Sequence, residues 1–100
     1  MQTFILFTRL VSEEVHPSFS IEEKSQTTKK KVAEHCPLVS WTGNYVTMGP
    51  WNYIDIFQAP DIETAMKVAM LVRLHGGACT EVWPALEWEA FKDTMGFLKA

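Results

Sequence analysis

Residues 49–70 read GPWNYIDIFQAPDIETAMKVAM, and the change of hydrophobic period inside this stretch decides the fold. Gly49 and Pro50 make a turn. WNYIDIFQ, Trp51 to Gln58, is dense in aromatic and β-branched residues and reads as a strand, which Ala59 and Pro60 stop. Asp61 then stands in an N-cap position, where a carboxylate can accept from the free N–H groups of a helix's first turn. Beyond it Ile62, Ala65, Met66, Ala69 and Met70 recur at helical spacing, so the chain changes from strand to helix around a single capping residue. Gly76 and Gly77 close that helix through a left-handed turn that a residue with a β-carbon resists.

Working outward, Thr3 to Leu10 carries apolar residues at odd and even positions alike, as a strand buried on both faces does. Ile21 to Glu34 holds helix formers without Gly or Pro; its apolar stripe, Ile21, Ser25, Thr28 and Val32 extended by Cys36, is thin, so packing rather than propensity must hold it. Pro37 ends it. Leu38 to Met48 reads as a strand with a bulge or turn at Gly43–Asn44, and it should form a hairpin with Trp51–Gln58. Ala78 to Leu86 reads as a strand, and Glu87 to Leu98 as a short terminal helix with Trp88, Phe91 and Met95 on one side.

The order is β-α-β-β-α-β plus a terminal helix: an α+β, ferredoxin-like βαββαβ domain with a four-stranded antiparallel sheet. Right-handed crossovers put both long helices on one sheet face and the first strand between the third and the fourth. Alternation along the strands then sorts the side chains. If Phe4, Leu6, Ile54, Ile56, Thr80 and Val82 point to the helices, Ile5, Phe7, Arg9, Tyr53, Asp55, Phe57, Cys79, Glu81 and Trp83 point to the open face. Such a large apolar patch marks an interface or a binding groove, so the expectation is a homodimer formed through the open sheet face around an enclosed space.

Composition bounds the function. One hundred residues make a single domain, spanning 1–100, with no room for separate cofactor and substrate domains. Hydrophobic residues at 47% and charged residues at 21% exclude a disordered chain. Four Trp, six Phe, two Tyr and five Met are a heavy apolar load for this length, which points to a partner or ligand surface. A net charge of −3 and a pI near 5.5 give no field for a phosphate backbone, so nucleic acid is not an expected partner. Lys29, Lys30 and Lys31 lie among Glu22, Glu23 and Glu34 and read as a solvated helix face. No apolar run is long enough to span a bilayer, and MQTFILFTRL lacks the basic start and apolar length of a cleavable signal. The expectation is a cytoplasmic protein with Cys36 and Cys79 as free thiols and no membrane partner.

The central segment resembles the signature of the GYD-domain family, named for a Gly-x-Tyr-Asp stretch that leads a strand ending in Glu-Ala-Pro-Asp. The likeness runs without a gap from Gly49 through Asp61, and Gly77 and the Thr80–Glu81 strand resemble the family's last strand. The resemblance implies a ferredoxin-like monomer and the superfamily of dimeric α/β barrels, in which two sheets pack across a cavity; it implies no reaction, and no cofactor is expected from the residues. Trp51 stands where the family has Tyr, Asn52 where it has Asp and Gln58 where it has Glu, while Asp55 interrupts a run that is apolar in the family.

Asp55, Glu81 and Arg9 are the charged groups expected on the open face. They form either an interfacial ion pair or a polar anchor or general base in a cavity, since a carboxylate inside a strand must be solvated, paired or put to use. Tyr53, Phe57, Trp41 and Trp83 would wall an apolar cavity or pack dry between subunits. His16 follows the first strand, in the kind of loop where site residues gather. His75 lies in a last helical turn, where a cation complements the helix dipole. His35, Cys36, His75 and Cys79 show no metal-ligand spacing, so no metal is expected. The reading is a homo-oligomeric domain that binds a small apolar molecule, with Arg9, His16, Trp41, Tyr53, Asp55, Glu81 and Trp83 as candidates; the alternatives are a cofactor-independent oxygenase or isomerase on the same scaffold, with Asp55 or His16 moving a proton, and a purely structural assembly module.

Overall fold

The computed structural model describes residues 1–10 and 18–99, with side chains for 1–10 and 25–98. The elements follow in the expected order: β1 (Gln2–Leu10), α1 (Ser18–His35), β2 (Ser40–Val46), β3 (Tyr53–Ala59), α2 (Ile62–Gly76), β4 (Ala78–Ala85), α3 (Trp88–Thr94) and a closing 3₁₀ turn, Met95–Lys99. The sheet has the strand order β2-β3-β1-β4 and every pairing is antiparallel, so β1 lies between β3 and β4 as its place in the chain requires.

Local chemistry sets the boundaries. Asp61 Oδ1 accepts from the Thr64 backbone N–H at 2.8 Å and from the Thr64 hydroxyl at 2.6 Å, which fixes the start of α2. Gly77 ends α2 in the left-handed region at φ 59°, ψ 49°. The β2–β3 pairing shifts register between Trp41 and Gly43, so the midway irregularity read from Gly43–Asn44 is a bulge.

The core lies between the sheet and the two long helices. Phe4 and Leu6 of β1 and Phe57 and Ala59 of β3 meet Val32 of α1, Cys36 just beyond it, and Ala65, Val68 and Ala69 of α2. The buried side of α1 is Thr28, Val32 and Cys36, as its thin stripe suggested; Ser25 is exposed, and the Ile21 side chain lies outside the described ones.

Two expectations are corrected. The first concerns β3. Asp55 pairs with Leu6, Phe57 with Phe4 and Tyr53 with Thr8, and directly paired residues share a face. Tyr53, Asp55 and Phe57 therefore point to the helices, and Ile54 and Ile56 to the open face, the reverse of the expected alternation. In a strand apolar on both faces the hydrophobic pattern does not choose between the two registers, and a slip of one residue exchanges every side chain. Here Phe57, stacked on Phe4 at 5.6 Å, and the small Ala59 fill the space under the helices.

The second concerns α2. Its buried residues are Ala65, Val68 and Ala69, whereas Ile62, Met66 and Met70 are exposed. The small side chains of Ala65 and Ala69 let the helix approach the sheet closely, which turns the longer ones outward.

Candidate functional site

On the open face of the sheet Ile5, Phe7 and Arg9 of β1 lie beside Ile54 and Ile56 of β3 and Cys79, Glu81 and Trp83 of β4. The Phe7 ring touches two others, Trp83 with centroids 4.3 Å apart and Trp51 at 5.8 Å. The Arg9 guanidinium lies 5.9 Å from the centre of the Trp51 ring, within reach of a cation–π attraction. Trp83 Nε1 donates to Glu81 Oε1 at 3.0 Å, holding indole and carboxylate together. Half of Trp83 remains exposed, at 48%, and among the described residues both helices of the core pack on the opposite face. The result is a band of aromatic surface carrying one cation and one anion.

Arg9, Glu81 and Trp83 are therefore brought together, and the other candidates are not. Trp41 packs its ring on Phe57 at 5.3 Å, at the edge of the core. Tyr53 and Asp55 share that helix-side face, so Arg9 lies across the sheet from Asp55 and the expected pairing between them does not form. Asp55 is half-buried, and burial pushes its carboxyl up to about 6, partly opposed by the positive charge of Lys29. His16 lies outside the described residues.

The cysteines are both free; burial raises the Cys36 thiol above its ordinary range, which disfavours the thiolate a nucleophile requires. Among the described residues no three His, Cys, Asp or Glu side chains gather as a metal site would require.

Phe7 and Trp51 are the residues that sequence reasoning left out of the site. Phe7 was placed on this face by alternation alone. Trp51 precedes β3 in an irregular turn where no period applies, and the turn itself brings its ring to Phe7 and Arg9.

The polar residues of the central motif hold the backbone together. Asn52 N–H donates to Thr8 O at 2.8 Å, its Oδ1 accepts from Leu10 N–H at 2.8 Å, and its carbonyl accepts from Thr47 N–H at 2.9 Å. The Thr47 hydroxyl donates to the Trp51 carbonyl, closing the β2–β3 connection. Gln58 Nε2 donates to Thr3 Oγ1 at 2.9 Å across the β1–β3 pair. An amide at position 52 supplies the acceptor that a carboxylate would, so this part of the motif specifies strand register.

Comparison with known proteins agrees with the topology. The solution NMR structure of a de novo designed protein with a ferredoxin fold superposes with a TM-score of 0.59 over 88% of each chain at 13% identity, a likeness of fold alone. No curated protein matches the sequence. No helix among the described residues is long and apolar enough to cross a membrane. The family model of the GYD domain, however, matches residues 4–95, from the first buried side chain of β1 to the residue after α3, and by that match the chain belongs to the GYD domain family.

Proposed function

We propose that this chain is a small-molecule-binding domain that pairs with a second copy through its open sheet face, enclosing a space walled by Phe7, Trp51 and Trp83. The observation that carries the reading is the joined aromatic band, with Arg9 against Trp51 and Glu81 bonded to Trp83, on a face that no described helix covers. Apolar walls with a few fixed polar groups are the usual make-up of a ligand pocket. The arrangement suits a small apolar molecule with one anionic or hydrogen-bonding end. Native mass spectrometry of freshly purified protein tests it. A dimer carrying an extra small mass is the expected result, with the ligand lost in Phe7→Ala and Arg9→Ala; a stable monomer, or a bare dimer that takes up no apolar probe such as an anilinonaphthalene sulfonate, rejects the reading.

A second reading has its own observation. The Asp55 carboxyl, at about 6, titrates near the working range of a general acid or base. In this reading the proton-moving group acts on the helix side of the sheet, next to Tyr53, rather than on the open face. Carbon-13 NMR of the Asp55 carboxyl tests it directly: a midpoint near 4 would remove Asp55 as a proton carrier at neutral pH.

A further inference from the structure

Two apolar surfaces remain that the core does not use. On α2, Ile62, Met66, Met70 and Leu74 follow one another at four-residue steps and all are exposed. Met66, Ala69, Met70 and Arg73 form one wall of an open groove of about 420 Å³, whose other wall is Thr80 to Trp83 on edge strand β4. Arg73 is built into this wall, with Nε donating to Thr80 Oγ1 at 2.8 Å and Nη2 to the Thr80 carbonyl at 2.6 Å.

The second surface is the C-terminal arm. Among the described elements α3 and the 3₁₀ turn pack only against each other. Trp88 and Phe91 stack with centroids 5.8 Å apart, yet Trp88 is 64% exposed, and Phe97 and Leu98 are exposed as well. A helix of seven residues is too short to persist on its own, so its apolar side calls for a surface to lie on.

Among the described residues that surface is not its own body. Leu86 and Glu87 alone separate β4 from α3; Glu87 is extended, at φ −61° and ψ 144°, and its Oε2 accepts from the Ala90 N–H at 3.1 Å, fixing the start of the helix. A link this short and extended carries the arm away instead of reversing it. The molecule is accordingly 58 Å long against 30 and 17 Å, with a radius of gyration of 15.5 Å, where a compact chain of this length has about 13 Å. A detached element on a short hinge is the usual geometry of exchange between protomers.

The lengths fit. The exposed row of α2 from Ile62 to Leu74 runs about 18 Å at 1.5 Å per residue. The arm, seven α-helical residues and five in the 3₁₀ turn, runs about 20 Å.

We propose that the arm Trp88–Lys99 is exchanged between two copies of this chain, each arm lying along the exposed row of α2, in the groove between α2 and β4 of the other. The exchange goes beyond the sheet-to-sheet pairing proposed above and uses the groove beside α2, sharing with the open face only Glu81 and Trp83 on the edge strand. Sedimentation equilibrium of the full chain tests it with three variants: Trp88→Glu with Phe91→Glu in the arm, Met66→Glu with Met70→Glu in the groove, and Phe7→Glu on the open face. The arm touches none of the other described elements, so that variant stays informative should the groove variant fail to fold.

Arm and groove variants are each expected to weaken self-association by about a hundredfold, since two large apolar anchors are lost. An equal mixture of the two is expected to recover a heterodimer, one intact arm meeting one intact groove. Unchanged association in both variants overturns the exchange, as does a wild-type monomer with Trp88 shielded from a fluorescence quencher, which places the arm on its own groove. Loss of association in Phe7→Glu alone overturns the exchange and leaves the sheet pairing standing; loss in the arm and groove variants alone supports the exchange and removes the sheet pairing.

Discussion

At the scale of single residues, Asp55 and Asn52 show how the same strand region can carry opposite kinds of polar group. The Asp55 carboxyl forms no hydrogen bond to another described side chain, and burial raises it to about 6; in an unfolded chain an aspartate titrates near 3.9. Between those values the folded state holds the extra proton, so the contribution of Asp55 to stability is fully present below about pH 4 and is lost as the pH rises through 6. The carboxyl is partly exposed, and solvent screening limits the loss to about 1 kcal/mol. Asp55→Asn is therefore expected to stabilise the protein by about 1 kcal/mol at pH 7.5 and by little at pH 4, which urea unfolding of both proteins at the two values would measure. Asn52 is the reverse case, with backbone and side chain both satisfied. Asn52→Ala leaves the Leu10 N–H without its acceptor and is expected to cost about 1 kcal/mol, while Asn52→Asp keeps the acceptor and most of the stability. The family signature at this position is thus legible as a register device only once its bonds are seen.

At the scale of elements, α2 was legible at both ends. The Asp61 cap and the Gly77 turn are local chemistry, and local chemistry is written in the residues concerned. Gly77→Ala places a β-carbon at φ 59°, with no neighbour in the way, so the cost is conformational strain alone: about 1 kcal/mol, read as a lower unfolding temperature. Asp61→Ala removes the acceptor for both Thr64 donors and is expected to lower the unfolding temperature as well. The hydroxyl and N–H of Thr64 hold the Asp61 carboxyl below the usual range, so its stabilising effect is present at neutral pH and fades as the pH falls through that lowered value. The side of α2 that packs was not legible. Ile62, Met66 and Met70 are more hydrophobic than Ala65 and Ala69, but burial follows how closely two backbones approach, and alanine permits the closer contact.

At the scale of the whole molecule, the chain divides into a core and two surfaces the core leaves unused. The core draws on Phe4, Leu6, Phe57, Val32 and Val68, all 1% exposed or less, so the open face and the C-terminal arm can be altered without disturbing it. Phe7→Glu is accordingly expected to give a folded protein, unchanged in circular dichroism and within about 1 kcal/mol of wild-type stability as a monomer; a larger loss would show that Phe7 belongs to the fold rather than to an interface. Of the candidate site, Arg9, Glu81 and Trp83 were placed together because β1 and β4 pair as their alternation implies. Tyr53 and Asp55 were misplaced by the register of one strand, and Trp41 turned out to pack beside the core.

The sequence by itself determined the βαββαβ order and the terminal helix, though not that helix's passage into a 3₁₀ turn at Met95, together with the Asp61 cap and the Gly77 turn of α2, the position of β1 in the sheet, and the existence of more apolar surface than one small core can use. These follow from periods, caps and connection lengths, which act over a few residues and need no knowledge of neighbours. Only the tertiary structure decided which face of β3 meets the helices, which side of α2 is buried, and that the C-terminal arm stands away from its own body. Each of those choices lies between alternatives that the local pattern supports about equally. They are settled by how a particular Phe, Ala or Trp fits the space left by residues far away in the chain, an energy that exists only once the elements are packed.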